Sequence, residues 1–301
     1  MTAAIETKRL TKAFGSAAAV DRLDLRVEPA QVFGFLGPNG AGKTTTIRML
    51  LDLHHPSSGS AEVLGLDSVR DSVGIHARCG YLPGDLELYP RMTGRRLLDW
   101  FARARGGVDA TLCRELVERF EVILDRRIHE LSKGNRQKIG LVLAFMHRPE
   151  LLVLDEPTSG LDPLMQDEFH RLLRETIADG RTVFLSSHEL DEVQRVADRV
   201  AIIREGRLVV TDSVEGLRRQ APQTIEMRFK APVESTVFGC LDGVQRVTVD
   251  GDRISLQASG ELAPLLRVIA DHNPVDLVTR HADLDELFLT YYRDSGAADA
   301  D

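Results

Sequence analysis

The segment from residue 37 to 44 constrains the fold of this chain more than any other part of the sequence. It contains the letters G-P-N-G-A-G-K-T and matches the phosphate-binding pattern G-x-x-x-x-G-K-[ST]. The apolar run at 31–36 predicts a buried strand before this loop, and 43–51 predicts a helix after it. Glycines allow backbone N–H groups to curl around phosphates, and the start of a helix adds positive potential. The segment therefore predicts a nucleoside triphosphate site within an α/β fold.

Two side chains at the end of the loop have specific roles in such a site. Lys43 places a positive charge near the β- and γ-phosphates, and the Thr44 hydroxyl is suited to hold Mg²⁺. The alternative is a glycine-rich turn that only caps a helix, but the flanking strand and helix favour the phosphate site. The residues expected to contact the nucleotide are Gly37, Pro38, Asn39, Gly40, Ala41, Gly42, Lys43, Thr44 and Thr45.

The bulk properties of the chain narrow its environment and partners. A length of 301 residues allows two domains, and the formal net charge of −8 argues against a nucleic-acid partner. No apolar run approaches the ~18 residues that span a bilayer, and residues 1–7 lack the layout of a signal peptide. The three widely spaced cysteines are typical of a reducing compartment. These features predict a cytosolic protein.

Alternating patterns over the first 219 residues indicate an α/β layered domain. Strands are predicted at 20–27, 31–36, 79–83, 151–155, 182–186 and 200–204, and helices at 43–51, 95–105, 110–120, 134–146, 163–178 and 189–197. From 220 to 294 the pattern restarts as strand, helix, strand, strand, helix, strand, which is typical of a small α+β ferredoxin-like domain. A last helix is predicted at 283–292, and the acidic tail 295–301 is predicted to be disordered.

A pair of carboxylates follows the apolar run 151–154. Asp155 would support the Mg²⁺ shell, and Glu156 directly after it would accept a proton from an attacking water. An acidic pair that merely begins a loop is the plain alternative. The longer pattern P-T-S-G-L-D at 157–162 favours the catalytic interpretation.

The segment L-S-K-G-N-R-Q at 131–137 lies upstream of that strand. Ser132 is a typical helix N-cap, and Gly134 permits a close backbone approach. One interpretation is that Ser132 only caps the helix 134–146. The other is that this helix end presents N–H groups to a phosphate.

Taken in their order along the chain, the motifs resemble those of the ATP-binding subunit of an ABC (ATP-binding cassette) transporter. The resemblance covers essentially the whole first domain. The resemblance implies a P-loop ATPase domain with a helical signature subdomain, and it implies ATP and Mg²⁺ as cofactors. It assigns residues 37–44 to the Walker A loop, Asp155 to Walker B, Glu156 to the catalytic base, Ser132, Lys133, Gly134 and Asn135 to the signature, Asp162 to the D-loop, His188 to the switch histidine and Phe14 to the adenine-stacking ring.

Two of these assignments have plain alternatives. A lone aromatic such as Phe14 is more often part of a core, but its place before the first strands, with Gly15 after it, favours stacking on adenine. His188 follows one predicted strand and precedes a predicted helix, so it either caps that helix or donates a hydrogen bond to the γ-phosphate.

The sequence departs from the family pattern at two places. Lys133 and Asn135 replace the third and fifth residues of the usual signature L-S-G-G-Q. Gly84 occupies the region where the family has a glutamine that senses Mg²⁺ and water. Asp85 or Glu87 substitutes for that glutamine, or the segment is a turn without a catalytic part.

The resemblance also implies partners. We expect a second ATP-binding subunit, most simply a copy of this chain, and a separately encoded transmembrane permease that docks on residues 84–93. Leu88, Tyr89 and Met92 are either apolar anchors of that docking face or ordinary core residues. The C-terminal pattern resembles the C-terminal extension of ABC-2-type exporter ATPases, including the antibiotic-resistance group. This resemblance implies that the chain powers export and lies at the inner face of the cell membrane. The alternatives are a soluble repair- or translation-type ABC ATPase, a regulatory cassette, an importer and a P-loop GTPase. The last lacks an Asn-Lys-x-Asp guanine motif here.

Overall fold

A computed structural model describes residues 2–220, 223–230 and 233–280. The chain divides into two compact units between Thr211 and Asp212. The predicted boundary, between residues 219 and 220, lies later in the chain, at the C-terminal end of the helix Val214–Gln220. The predicted helix 283–292 and the predicted disordered tail lie outside the described residues. Across the described ranges, no helix is long and apolar enough to span a bilayer.

The first unit contains most of the elements. Its strands are β1 (Ile5–Phe14), β2 (Ala17–Leu23), β3 (Arg26–Val27), β4 (Val32–Leu36), β5 (Ser58–Val63), β6 (Leu66–Asp67), β7 (Cys79–Leu82), β8 (Leu151–Asp155), β9 (Thr182–Ser187), β10 (Arg199–Arg204) and β11 (Arg207–Ser213), which crosses the boundary. Its helices are α1 (Lys43–Leu50), α2 (Ser72–Arg78), α3 (Gly94–Ala104), α4 (Ala110–Arg119), α5 (Lys133–Phe145), α6 (Pro163–Ala178) and α7 (Leu190–Gln194), with a 3-10 turn at Ile128–Glu130.

Six strands of the described first unit form a central sheet in the order β11-β10-β4-β9-β8-β7. From β10 to β7 every neighbouring pair is parallel. All residues of β4, β8 and β9 are buried, as expected for apolar strands covered on both faces. Parallel strands end at the same edge of a sheet, so the loops after β4, β8 and β9 meet there.

A second, antiparallel sheet has the order β2-β1-β5-β6, with β3 also paired to β1. The single strand predicted at 20–27 is therefore two strands, β2 and β3, that are interrupted at residues 24–25. The sequence prediction also missed β1, β5 and β6. In β1 the residues Glu6, Lys8 and Arg9 interrupt the apolar positions, and the register shifts after Leu10.

Helices α3, α4 and α5 lie in the helical part of this unit. Leu97 on α3, Ile139 on α5, and Ile128 and Leu131 before α5 form a separate small core. Leu88 and Met92, predicted as docking anchors, pack against this core, whereas Tyr89 is exposed. The first part of α5 therefore packs on a small apolar core that is separate from the main core of the unit.

The second unit begins with α8 (Val214–Gln220) and continues with β12 (Gln223–Phe229), α9 (Thr236–Gly239), β13 (Val244–Asp250), β14 (Arg253–Ala258), α10 (Ala263–Asp271) and β15 (Pro274–Arg280). Its described strands form an antiparallel sheet in the order β13-β14-β12-β15. Ile225, Phe238, Leu256 and Ile269 belong to its core. The first helix of the predicted pattern is confined to the short α9.

Candidate active site

The loop between β4 and α1 has the geometry of a phosphate cradle. Gly40 and Gly42 have φ values of 82° and 108°, which favour glycine. A Cβ on Gly42 would lie 2.5 Å from the Ala19 carbonyl oxygen, so a side chain has no room there. Gly42 is also the N-cap of α1 and provides no side-chain acceptor, which leaves the first N–H groups of the helix available to an anion.

Lys43 is the first residue of α1 and is nearly fully buried. Its Nζ donates to the Gly37 carbonyl oxygen at 2.7 Å and lies 3.4 Å from Glu156 Oε1. A buried ammonium group held mainly by carbonyl oxygens is a fitting partner for a phosphate.

Asp155 ends β8 and is completely buried. Thr44 Oγ1 donates to Asp155 Oδ2 at 2.7 Å, and the Ser186 hydroxyl donates to Oδ1. A hydroxyl and a carboxylate are oxygen ligands of the kind that Mg²⁺ prefers, so Thr44 and Asp155 fit a metal at this point. Ser186 was not predicted, because its closeness to Asp155 depends on β9 lying directly beside β8.

Gly84 lies beside this carboxylate. A Cβ on Gly84 would be 3.2 Å from Asp155 Oδ2, so the segment after β7 does approach the Asp155 carboxylate. Asp85 lines the same cleft, whereas Glu87 lines a neighbouring cavity. Of the two substitutes considered for the missing glutamine, Asp85 is the one located at the site.

Glu156 occupies an unusual backbone conformation. Its φ is 51°, a left-handed value that costs a side-chain-bearing residue on the order of 1–3 kcal/mol. Its Oε2 accepts a hydrogen bond from His188 Nδ1 at 2.8 Å. Its Oε1 is buried and has no hydrogen-bond partner among the described residues, although Lys43 Nζ is close. The carboxylate therefore has one anchored oxygen and one oxygen available to a ligand.

Gln137 holds the backbone of this residue and was missed by the sequence prediction. Its Nε2 donates to the Pro157 carbonyl oxygen at 2.9 Å and to that of Glu156 at 3.3 Å. Gln137 lies on α5 and is 4% exposed. Helix α5 thus contacts the loop that follows β8 in the same chain.

The signature segment begins with the predicted N-cap at Ser132, whereas Gly134 and Asn135 make close contacts within their own chain. Ser132 is the N-cap of α5, and its Oγ accepts from Asn135 N at 3.2 Å. A Cβ on Gly134 would lie 2.5 Å from the Gly160 carbonyl oxygen, so the close approach at Gly134 is to its own chain. The buried Asn135 side chain bonds both backbone groups of Ile123, at 2.9 and 3.2 Å.

Asp162 and Phe14, the remaining predicted residues, contact other groups. Asp162 caps α6 by accepting from Met165 N at 3.0 Å. Phe14 is 50% exposed, which rules out the core interpretation. Its ring lies 5.2 Å from Lys12 Nζ and contacts the His54 ring edge-on at 5.7 Å. Stacking of Phe14 on adenine stays a prediction.

A cleft of about 360 Å³ brings the main groups together. Of the predicted residues it is lined by Pro38, Asn39, Gly40, Gly42, Lys43, Thr44, Thr45, Lys133, Asp155, Glu156 and His188. Gly37, Ala41, Ser132, Gly134, Asn135, Asp162 and Phe14 are not among its lining residues. A larger cavity of about 780 Å³ between α3 and α4 shares none of these groups.

The cradle, the paired carboxylates and the histidine define a P-loop nucleoside triphosphatase. The ABC transporter family model matches residues 20–159. Bacitracin transport ATP-binding protein BcrA of Bacillus licheniformis is 36% identical over 241 residues, which cover 79% of each chain. Daunorubicin resistance ATP-binding protein DrrA3 of Streptomyces coeruleorubidus is 34% identical over 304 residues, which cover 95% of each chain.

A solved structure of an ATP-binding subunit of an ABC transporter has the same fold. It is 29% identical with a TM-score of 0.65, and the match covers 73% of this chain and 93% of that one. The chain belongs to the ABC transporter ATP-binding proteins and is an ATPase of that family.

Proposed function

We propose that this chain hydrolyses ATP to drive a separate membrane permease that exports a drug, an antibiotic or a lipid-like cargo. The observation that carries the hydrolytic part is the Glu156 carboxylate, with Oε2 anchored on His188 and Oε1 buried without a hydrogen-bond partner among the described residues. Similarity to a bacitracin transport protein and a daunorubicin resistance protein supports the export part.

The residues of the cleft divide the chemistry among them. Lys43 exchanges its carbonyl partners for the phosphates, where its charge stabilises the transition state. Thr44 and Asp155 would hold Mg²⁺, which neutralises phosphate charge when bound. Glu156 orients the attacking water through Oε1 and accepts its proton. His188 keeps Glu156 in place through Nδ1–H, and with an N–H on Nε2 as well its imidazolium form donates to the γ-phosphate.

A second copy of the chain completes the proposed site. In a head-to-tail homodimer the start of α5 from one copy would face the nucleotide held by the other. Lys133 and the N–H groups near Gly134 would contact the phosphates there. Asn135 would act by fixing the helix start, because its side chain is bound to Ile123. Asp162 would orient the D-loop, and Phe14 would stack on adenine.

The second unit supports the assignment to exporters. Its strand order and its alternation of strands and helices support a ferredoxin-like fold. We propose that it steadies or regulates the dimer. The permease would dock on residues 84–93, where exposed Tyr89 packs against exposed Trp100. The chain would then act in the cytoplasm, at the inner face of the membrane.

The test is the Mg²⁺-dependent ATPase rate of the full chain, alone and with its permease in lipid. Glu156→Gln keeps the shape of the side chain and should lower the rate by about 10²–10⁴-fold. Glu115→Gln removes an exposed carboxylate on α4 and is the control. Wild-type turnover in Glu156→Gln would refute the role of Glu156. A rate indifferent to the permease would indicate an ATPase that is not coupled to transport.

A further inference from the structure

Glu192 is a carboxylate in an unusual place. It lies on α7, and its side chain is largely buried next to the loops that follow β8 and β9. Two hydroxyl groups donate to it: Thr158 Oγ1 to Oε1, and Ser187 Oγ to Oε2 at 2.7 Å. An isolated buried carboxylate is destabilising, so these two hydrogen bonds hold it in place.

The two donors lie close to the proposed catalytic pair: Thr158 is in the loop after β8, and Ser187 is the last residue of β9, where the loop with His188 begins. Thr158 comes two residues after Glu156 and is joined to it by a turn in which Ser159 N donates to the Glu156 carbonyl oxygen at 3.2 Å. Ser187 directly precedes His188. One carboxylate therefore bonds both loops, and Glu156 and His188 meet at 2.8 Å between them.

Ser187 extends the connection to the phosphate cradle. Its carbonyl oxygen accepts from Gly37 N at 3.3 Å, and its Oγ accepts from Glu189 N at 3.0 Å. Burial raises the pKa of the Glu192 carboxyl, and the charges of Glu189 and Glu156 act in the same direction. Both hydroxyl groups lower this pKa, because they donate to the ionised form.

We propose that Glu192 is a positioning residue for ATP hydrolysis, because its carboxylate bridges Thr158 and Ser187 and so sets the distance between Glu156 and His188. The inference rests on the proposed roles of Glu156 and His188. Glu192 does not line the cleft, so it acts through these two loops and not on the nucleotide.

The test compares Glu192→Leu with Glu192→Gln in the full chain. Leucine removes both acceptors, and kcat should fall about tenfold to a hundredfold while KM for ATP stays within about twofold. Glutamine can still accept from one hydroxyl and donate to the other, so it should restore most of kcat. Asp191→Asn, an exposed carboxylate change on the same helix, should leave both constants unchanged.

A double mutant tests the route of the effect. Thr158→Val in the Glu192→Leu background should add little further loss, because the pair acts as a unit. Independent losses, an unchanged kcat in Glu192→Leu, or equal loss in the glutamine variant would overturn the bridge. If Glu156→Gln is inactive while Glu192→Leu has wild-type kcat, only this inference fails. If Glu156→Gln turns over normally, the proposed base fails and the inference with it.

Discussion

Replacing Gln137 with methionine separates the support of the Glu156 backbone from the chemistry of its carboxylate. Methionine has a similar length and fills the same volume, but it donates no hydrogen bond. The Pro157 carbonyl oxygen then loses a 2.9 Å bond, and that of Glu156 loses a longer one at 3.3 Å. A buried acceptor left without a partner costs about 1–3 kcal/mol, so we expect the free energy of unfolding to fall by about 1.5 kcal/mol.

The same change should slow hydrolysis. Gln137 helps to keep Glu156 at a φ of 51°. Once that support is removed, the backbone would release strain by relaxing to a negative φ. Relaxation would move the carboxylate away from His188 and so misplace the proposed base. If this misplacement raises the activation free energy by about 1.4 kcal/mol, kcat falls tenfold.

Denaturant unfolding and the Mg²⁺-ATPase rate measure the two effects. Gln166→Met is the matched control, since Gln166 makes a 3.4 Å contact with the Leu161 carbonyl oxygen near the same loop. A variant that loses stability but keeps wild-type kcat would refute the link between Gln137 and the geometry of Glu156. A variant that loses neither would refute the hydrogen bonds themselves.

Three further predictions concern a buried histidine, a glycine of the signature segment and the reactivity of the thiols. Burial first, then the charge of Arg105, lowers the pKa of His147 from 6.5 to about 4. The unfolded chain therefore takes up a proton that the folded chain does not, and stability should fall by roughly 2 kcal/mol as the pH drops from 6.5 to 4; His147→Gln should flatten that dependence in unfolding titrations. Gly134→Ala should lower both the unfolding midpoint and the ATPase rate, because its Cβ would meet the Gly160 carbonyl oxygen, and unchanged values would contradict the close contact. Burial raises the pKa of the Cys79 thiol to about 12, so a maleimide should label exposed Cys240 first and Cys79 only on unfolding.

The sequence predicted the phosphate loop and the carboxylate pair because each is a local pattern at the end of an apolar strand. Lys43, Asp155 and Glu156 line one cleft, since β4, β9 and β8 are parallel neighbours whose following loops meet at one edge of the sheet. The order of these strands in the sheet is not encoded locally. For that reason Ser186, which reaches Asp155 from the adjacent strand, could not be found from the sequence.

Gln137 and Glu192 were missed for a different physical reason. Each is a polar residue inside a helix, where exposure to solvent is the ordinary expectation. Their importance comes from burial against loops that are remote in sequence, such as 156–158 for Gln137. The strand β1 was missed because charged residues alternate irregularly along it, which obscures the period of two.

The pairing of Asn135 with Ile123 has a consequence for solution studies. The side-chain amide bonds the N–H and the C=O of one residue, as a neighbouring strand would. The Ile123 amide hydrogen is thus shielded by a side chain from the first turn of α5, although it lies in a loop. Its hydrogen–deuterium exchange rate becomes a native reporter of that first turn, and it should slow when a ligand or a second subunit holds the turn in place.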